Sequence, residues 1–183
     1  HAPFAAWLVD VLRPASVVEL GTHNGFSCFT FAEAAARLGH RMLISALDSW
    51  QGDVHAGFYG EEVLESVRSI AERDYPNSVR LMRGWFAESR PHFEDASVDL
   101  LHIDGRHGYE DAVEDYEAWR SVVRDGGVIL FHDIAELDRG FGVWRLWERL
   151  EREHPTFAFQ HGHGLGVLSV GDVKVGPLRR LFL

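Results

Sequence analysis

Short apolar runs of strand length alternate along the chain with longer segments whose apolar residues recur at helical spacing. This alternation is typical of a parallel α/β sheet with helices on both faces. We therefore expect a mostly parallel seven-stranded sheet with an antiparallel C-terminal strand. The predicted strands are 16–20, 42–47, 79–82, 98–103, 128–131, 157–159 and 167–170, and the predicted helices are 3–12, 26–38, one through 63–70, a short one near 85, one through 109–123 that ends at Gly126-Gly127, and one at 141–150.

Length and charge narrow the class of protein. A chain of 183 residues with 46% hydrophobic residues can form one domain with a full core, and we assign residues 1–183 to that domain. The formal net charge of -10 disfavours a nucleic-acid partner, because phosphate contacts require basic side chains. No signal peptide or membrane-spanning run is present, so we expect a cytoplasmic protein without membrane insertion. A start at His1 rather than at a methionine is also consistent with a module excised from a longer chain.

Open α/β sheets bind ligands at the carboxyl ends of their strands, and the first strand ends in the segment from Glu19 to Gly25. Gly21 permits a tight turn close to a ligand, and Gly25 lets the next helix pack near the strand. A dinucleotide site would have the middle glycine of a Gly-x-Gly-x-x-Gly pattern where His23 stands, and Glu19 would repel a phosphate. A carboxylate attracts the ammonium and sulfonium groups of S-adenosylmethionine (SAM), so this segment favours SAM as the cofactor.

An acidic residue, Asp48, ends the second strand at about the distance along the chain at which ribose hydroxyls are bound. Helix capping or solvation of strand ends would explain Glu19 or Asp48 alone, but the pair favours a nucleoside site. After the third strand, Gly84 and Trp85 could flank an adenine ring, and packing of Trp85 in the core is an equal alternative. The predicted cofactor-binding residues are Glu19, Gly21, Thr22, Asn24, Gly25, Ser27, Asp48, Ser49, Gly84, Trp85 and Asp104.

Acidic and imidazole side chains follow the fourth and fifth predicted strands. If these strands are neighbours, Asp104 and Asp133 hold one hard divalent cation such as Mg²⁺. His132 would be the third ligand, and its imidazole leaves Mn²⁺, Fe²⁺ or Zn²⁺ open. His107 is expected to act as general base, because an ordinary pKa of about 6.5 permits proton uptake at neutral pH. Capping and turn formation are the alternative for this set, and His102, inside an apolar strand, is expected to be a satisfied core histidine.

These motifs resemble those of class I SAM-dependent methyltransferases, especially the metal-dependent O-methyltransferases of methyltransferase family 24 type that modify catechols, macrolide sugars and cephalosporins. The likeness runs from about 17 to 170. It implies a Rossmann-like class I fold, Asp104 and Asp133 as metal ligands, and His107 as the base that deprotonates the acceptor hydroxyl. His132 departs from the family, which commonly has an acidic residue there, so the identity of the metal and the metal dependence itself are open.

The resemblance implies methyl transfer, EC 2.1.1.-, from SAM to a hydroxyl of a small molecule or saccharide. The segments 140–144 and 161–166 are similar to methyltransferase modules attached to bacterial glycosyltransferases, which implies a saccharide acceptor and leaves such a fusion open. A homodimer is also open. Two other hypotheses are a non-catalytic cofactor-binding module of a polysaccharide-assembly protein and a nucleotide-dependent oxidoreductase or hydroxylase on the same scaffold.

Overall fold

The alternation of strands and helices is present in the computed structural model, which describes residues 1–173 and 176–182. Among these residues, no helix combines the length and the apolar character needed to cross a membrane. The helices are α1 (Ala2–Leu12), α2 (Phe26–Arg37), α3 (Glu61–Asp74), α4 (Phe86–Ser89), α5 (Tyr109–Trp119), α6 (Val143–Glu153) and α7 (Gly176–Arg179). The strands are β1 (Ser16–Leu20), β2 (Leu43–Asp48), β3 (Gly52–Asp53), β4 (Gly57–Phe58), β5 (Val79–Arg83), β6 (Val98–Ile103), β7 (Val123–His132), β8 (Thr156–Phe159) and β9 (Leu165–Ser169).

Seven strands form one sheet in the order β5-β2-β1-β6-β7-β9-β8. The first five in this order are parallel to one another, and β9 is antiparallel to both of its neighbours. The predicted sheet with an antiparallel C-terminal strand is therefore confirmed. The chain moves outward from β1 to β5 and then returns to the other side of β1, so the strand order reverses between β1 and β6. The carboxyl ends of these two strands are where an open α/β sheet binds its ligands.

The central strands are largely buried because helices cover both faces of the sheet. All six residues of β6 are buried. Leu100 packs in a cluster with α1 and α2, whereas Leu101 packs in a second cluster with α5 and α6. Neighbouring residues of a strand point to opposite faces, so β6 contributes to both cores in turn.

The end of the fifth helix differs from the prediction. Instead of continuing to Gly126-Gly127, α5 ends at Trp119, and both glycines lie inside β7. Gly126 has φ of +79°, and its backbone N donates to the carbonyl of Val170 at 2.7 Å. A Cβ on Gly127 would lie 2.9 Å from the carbonyl oxygen of Asp99 in the neighbouring strand. The glycines therefore allow an irregular, closely packed start of the strand, a role that sequence pattern does not distinguish from helix termination.

A hairpin formed by β3 and β4, named here the 52–58 hairpin, was not predicted because its strands have two residues each. Its base is fixed by Trp50, which is fully buried and has φ of +52°. The backbone N of Trp50 donates to Asp48 at 2.6 Å, and its indole N donates to the carbonyl of His23 at 3.0 Å. A Cβ on Gly52 would lie 2.0 Å from the carbonyl oxygen of Gly57, so the two strands approach closely.

Gly21 offers a test of how closely β1 and β6 approach. It has φ of +90°, and a Cβ there would lie 1.9 Å from the backbone oxygen of Asp104. We expect Gly21→Ala to lower the free energy of unfolding in urea by roughly 3 kcal/mol or more, through backbone strain and overpacking together.

Gly57→Ala is the matched control, because Gly57 has φ of +83° and no heavy atom within 4 Å of the added Cβ. It should cost only about 1 kcal/mol. Equal losses in the two variants would mean that the positive φ, rather than contact with Asp104, requires the glycine.

Candidate active site

The carboxyl ends of the parallel strands open into one pocket of about 970 Å³, at the upper end of the range for small-molecule sites. Both predicted sets of residues face this pocket. Glu19 and Gly25 are the two predicted site residues that do not line it. The predicted residues that line it are Gly21, Thr22, Asn24, Ser27, Asp48, Ser49, Gly84, Trp85, Asp104, His107, His132 and Asp133.

The loop between β1 and α2 forms the floor of one half of the pocket. Gly25 begins α2 with φ of +79°, and its backbone N donates to the carbonyl of Thr22 at 2.7 Å. A Cβ on Gly25 would meet the ring of Phe29, one turn along α2, at 2.5 Å. The hydroxyl of Thr22 is buried without a hydrogen-bond partner among the described residues. Such an atom fits a site that a ligand or water completes.

Glu19 lies beneath this loop and is fully buried. Its Oε1 accepts a hydrogen bond from Ser27 at 2.5 Å and lies 3.1 Å from Nδ1 of His102. Its Oε2 has no partner within the part of the chain that the structure describes. Glu19 therefore does not touch the pocket itself, but it contacts Ser27 and His102, which both line it. His102 is buried and hydrogen-bonded, as expected for a satisfied core histidine.

Asp48 is held in place by backbone donors. Its Oδ2 accepts from the backbone N of His23 at 2.8 Å, and its Oδ1 accepts from that of Trp50. The hydroxyl of Tyr59 makes a longer contact of 3.4 Å with Oδ2. Burial, and then the charge of Asp48, raises the pKa of Tyr59, which keeps this hydroxyl protonated as a donor. The Tyr59 ring stacks on His23 with centroids 4.5 Å apart, so an aromatic wall adjoins the carboxylate.

Trp85 belongs to the pocket and not to the core, since 52% of its surface is exposed. The core-packing alternative for this residue is therefore wrong. Gly84 lies between Trp85 and β5 with φ of +151°, and its backbone N donates to the carbonyl of Asp48 at 3.0 Å. On the other side, a Cβ on Gly105 would lie 2.7 Å from the ring of Phe86. Gly105 thus leaves room for the ring of Phe86.

Asp115, on α5, also lines the pocket and was not predicted from the sequence. Burial raises its pKa to about 7, against a smaller opposing effect of Arg106. The carboxylate forms no hydrogen bond or ion pair with any residue in 1–173 or 176–182. Three residues before it, Ala112 is buried, so Asp115 borders the buried face of the helix. The spacing of three residues from Ala112 is the sequence signal that could have placed Asp115 beside the buried face of α5.

Two carboxylates and two imidazoles meet at the ends of β6 and β7. Nε2 of His107 lies 2.8 Å from Asp133 and 3.7 Å from Asp104. Nδ1 of His132 lies 3.0 Å from Asp133 and 3.4 Å from Asp104. Burial alone would lower the pKa of each imidazole, but the hydrogen bonds to both carboxylates outweigh it and raise the pKa of His107 to about 9 and that of His132 to about 10. At neutral pH both rings are therefore protonated.

The imidazoles act in turn on the carboxylates. Burial would raise the pKa of Asp104 and of Asp133, but the hydrogen bonds from His107 and His132 lower both below the usual range. Asp133 also has φ of +63°, an uncommon backbone conformation, and its backbone N donates to the carbonyl of Gly164 at 3.1 Å. Unfavourable backbone geometry of this kind is concentrated at functional sites.

The cluster fits a divalent cation. Asp104, His107 and Asp133 offer ligand atoms that lie within 4.8 Å of one another. The predicted third ligand is His132, whereas the third member of this group is His107. His132 also lies close to both carboxylates. A divalent cation carries the same charge as the two protons of the imidazolium rings, so exchanging one for the other leaves the net charge unchanged.

The 52–58 hairpin and the segment before α6 complete the wall around His107. The ring of His55 contacts His107 edge to face with centroids 5.6 Å apart, and Phe141 packs on His107 at 4.5 Å. Asp53 and Arg139 line the same part of the pocket. Sequence reasoning did not assign these residues, because nothing in the sequence places two two-residue strands beside His107.

Comparison with known proteins identifies related sequences. Residues 18–134 match a family model described as a methyltransferase domain. Uncharacterized protein y4gI of Sinorhizobium fredii (strain NBRC 101917 / NGR234) is 47% identical over 183 residues, which are 98% of this chain and 20% of that protein. The chain therefore spans about a fifth of the length of this curated relative.

Solved structures share the fold. The O-methyltransferase from Bacillus cereus in complex with SAH superposes with a TM-score of 0.70 and 19% identity, over 92% of this chain and 80% of that chain. TomG from Streptomyces achromogenes, an O-methyltransferase involved in tomaymycin synthesis and solved in complex with SAM, gives a TM-score of 0.69 and 19% identity, over 93% and 79% of the two chains. At this identity the likeness establishes the fold.

The raised pKa of Asp115 predicts a pH-dependent stability. A carboxyl whose pKa is higher in the folded state stabilises the fold at low pH, and this contribution is lost as the pH rises through about 7. We expect Asp115→Asn to be more stable than the wild type by about 1–3 kcal/mol at about pH 8, and equally stable below about pH 4. Urea unfolding across this range measures the difference.

Glu110→Gln, an exposed substitution on the same helix, is the control and should leave the pH profile unchanged. Parallel profiles for Asp115→Asn and the wild type would show that burial does not perturb this carboxyl.

Proposed function

The chain belongs to the methyltransferase-domain family, and from this premise we propose that it transfers a methyl group from SAM to a hydroxyl of a small molecule or saccharide. One observation carries the proposal: a single pocket joins the loop after β1 to the carboxylate and imidazole cluster at the ends of β6 and β7. Donor and acceptor can therefore be held side by side, and alignment of two reactants is a major source of rate acceleration.

The donor is assigned to the half of the pocket formed by the loop, Asp48 and the segment around Gly84. The hydroxyl of Thr22, which has no hydrogen-bond partner among the described residues, would contact a polar group of the donor. Asp48 would accept hydrogen bonds from ribose hydroxyls, which can replace the long contact to Tyr59. Gly84 and Trp85 would lie beside the adenine ring. SAM, when bound, supplies a methyl group on a positively charged sulfur, and SAM or SAH occupies the structural neighbours from Streptomyces achromogenes and Bacillus cereus.

The acceptor chemistry is assigned to the cluster. Asp104 and Asp133 would hold a divalent cation with His132, and such an ion lowers the pKa of an oxygen bound to it. The same two carboxylates raise the pKa of His107 to about 9. If a cation shared these carboxylates, His107 would lose this stabilisation and be neutral at physiological pH. Neutral His107 would then take the proton of the acceptor hydroxyl, while the methyl group would pass from the sulfur of SAM to the hydroxyl oxygen and leave a thioether.

A polar acceptor fits the walls of this half. The aromatic ring of Phe141 and the polar side chains of His55 and Asp53 line it, and rings beside polar groups suit a hydroxylated ligand.

The much longer relative is compatible with a methyltransferase module within a larger protein, and we propose that a domain with sugar-directed activity accompanies it. The net charge of -10 supports a partner other than nucleic acid.

Replacing the base tests the reaction. We expect His107→Gln to reduce methyl transfer from labelled SAM by about 10²–10⁴-fold, because the hydroxyl proton has no acceptor. The dissociation constant of SAH, measured by calorimetry, should not change. His92→Gln alters an exposed imidazole outside the pocket and is the control. Loss of SAH binding in His107→Gln would make His107 structural, and binding of NAD in place of SAH by the wild type would sink the methyltransferase assignment.

Removal of the divalent cation tests the proposed metal dependence of the reaction. Treatment with a chelator should lower turnover, and added Mg²⁺ or Mn²⁺ should restore it. Asp133→Asn removes one of the two proposed carboxylate ligands. Added Mg²⁺ or Mn²⁺ should then fail to restore turnover, while SAH still binds. Full activity after exhaustive chelation would show that Asp104 and Asp133 act without a metal.

A further inference from the structure

His107 also belongs to a second group of potential ligands, whose other two members have no part in the proposed reaction. Asp53 and His55, on the 52–58 hairpin, offer ligand atoms that lie within 4.8 Å of each other and of His107. All three side chains line the pocket and are partly buried. We propose that Asp53, His55 and His107 form a second cation site, with two imidazoles and one carboxylate.

Asp53 is fixed for this role by its own turn. Its Oδ1 accepts hydrogen bonds from the backbone N of His55 and that of Ala56, each at 2.7 Å. The side chain is therefore oriented before any ligand binds. Its Oδ2 forms no hydrogen bond with the described residues, so one oxygen is left for a cation. The buried indole of Trp50 anchors the base of the hairpin, which limits its freedom.

The two nitrogens of His107 have different surroundings. Nε2 lies 2.8 Å from Asp133, whereas Nδ1 is buried without a hydrogen-bond partner in the described part of the chain. Metal-binding histidines usually donate their second N–H to a carboxylate, which fixes the ring and makes the first nitrogen a better ligand. Asp133 stands in that supporting position, and Nδ1 is the nitrogen that remains for a cation of the second site.

The imidazole of His55 is held beside His107 by packing. Its ring meets Phe141 edge to face at 4.8 Å and His107 at 5.6 Å. A Cβ on Gly140 would lie 3.7 Å from Nε2 of His55, so the backbone of this segment limits the ring on a further side. Two imidazoles are thus held close together on the pocket wall, where both can bind one cation.

The ligand types select the ion. Mg²⁺ prefers oxygen ligands, whereas Zn²⁺ and Co²⁺ bind well to imidazole. The hairpin site should therefore take Zn²⁺ or Co²⁺ in preference to Mg²⁺. The Asp104–Asp133 site offers two carboxylates and one imidazole, so it suits Mg²⁺ better than the hairpin site does. Occupation of the hairpin site would engage His107 as a ligand, and only this consequence for catalysis rests on the proposed function.

The test measures binding of Zn²⁺ and Co²⁺ to the purified chain without SAM or acceptor, by calorimetry and by the visible spectrum of bound Co²⁺. We expect wild-type protein to bind Zn²⁺ at least tenfold more tightly than His55→Ala does. Asp53→Asn should show a similar loss. Its amide oxygen can still accept both backbone hydrogen bonds of the turn, so this variant keeps the hairpin while removing the charge.

Two controls separate the sites. His92→Ala removes an exposed imidazole outside the pocket and should bind Zn²⁺ as the wild type does. Asp104→Asn should lose Mg²⁺ and retain Zn²⁺ at the hairpin. Unchanged Zn²⁺ affinity in both His55→Ala and Asp53→Asn would overturn the second site. Loss of SAM-dependent activity does not enter this measurement, so failure of the proposed reaction would leave its result unaffected.

Discussion

The close approach of two backbone segments, Gly21 after β1 and Asp104 after β6, is the constraint on which the pocket depends. The backbone N of Asp104 donates to the carbonyl of Leu20 at 2.8 Å, and no side chain fits at Gly21. Since the strand order reverses at this point, the loop that begins at Gly21 and the cluster that begins at Asp104 share one edge of the sheet. Without this contact the two halves of the pocket would be separate surfaces.

Charge is balanced locally within that edge. Asp104 and Asp133 are partly or fully removed from water, where an unpaired carboxylate is costly, and the two imidazoles supply the compensating protons. The same ion pairs raise the pKa values of His107 and His132. Under the proposed function, a divalent cation would replace the two imidazolium protons without creating an unpaired charge. The same charge balance would then hold the cluster with and without the cation.

The fold and much of the site could be predicted from the sequence, because strand ends in a parallel sheet necessarily meet at one edge. Asp48, Asp104 and Asp133 were found by that rule. The 52–58 hairpin could not be, since its strands are too short to show a period and its position depends on the burial of Trp50. The glycine pair in β7 was misplaced because Gly126 permits a helix end and a strand irregularity equally well. Tertiary packing decides such cases, and local pattern does not.

His107 shows how the two kinds of information combine. Its place three residues after Asp104 predicts a base, but the protonated state that its neighbours impose is the wrong one for accepting a proton. In the two proposals, the state of this ring would depend on what the surrounding carboxylates bind. A hard cation on Asp104 and Asp133 would free the imidazole, whereas a softer cation on the hairpin would occupy it. Because the two ligand sets differ in their share of oxygen and nitrogen, the identity of the ion would select between these outcomes.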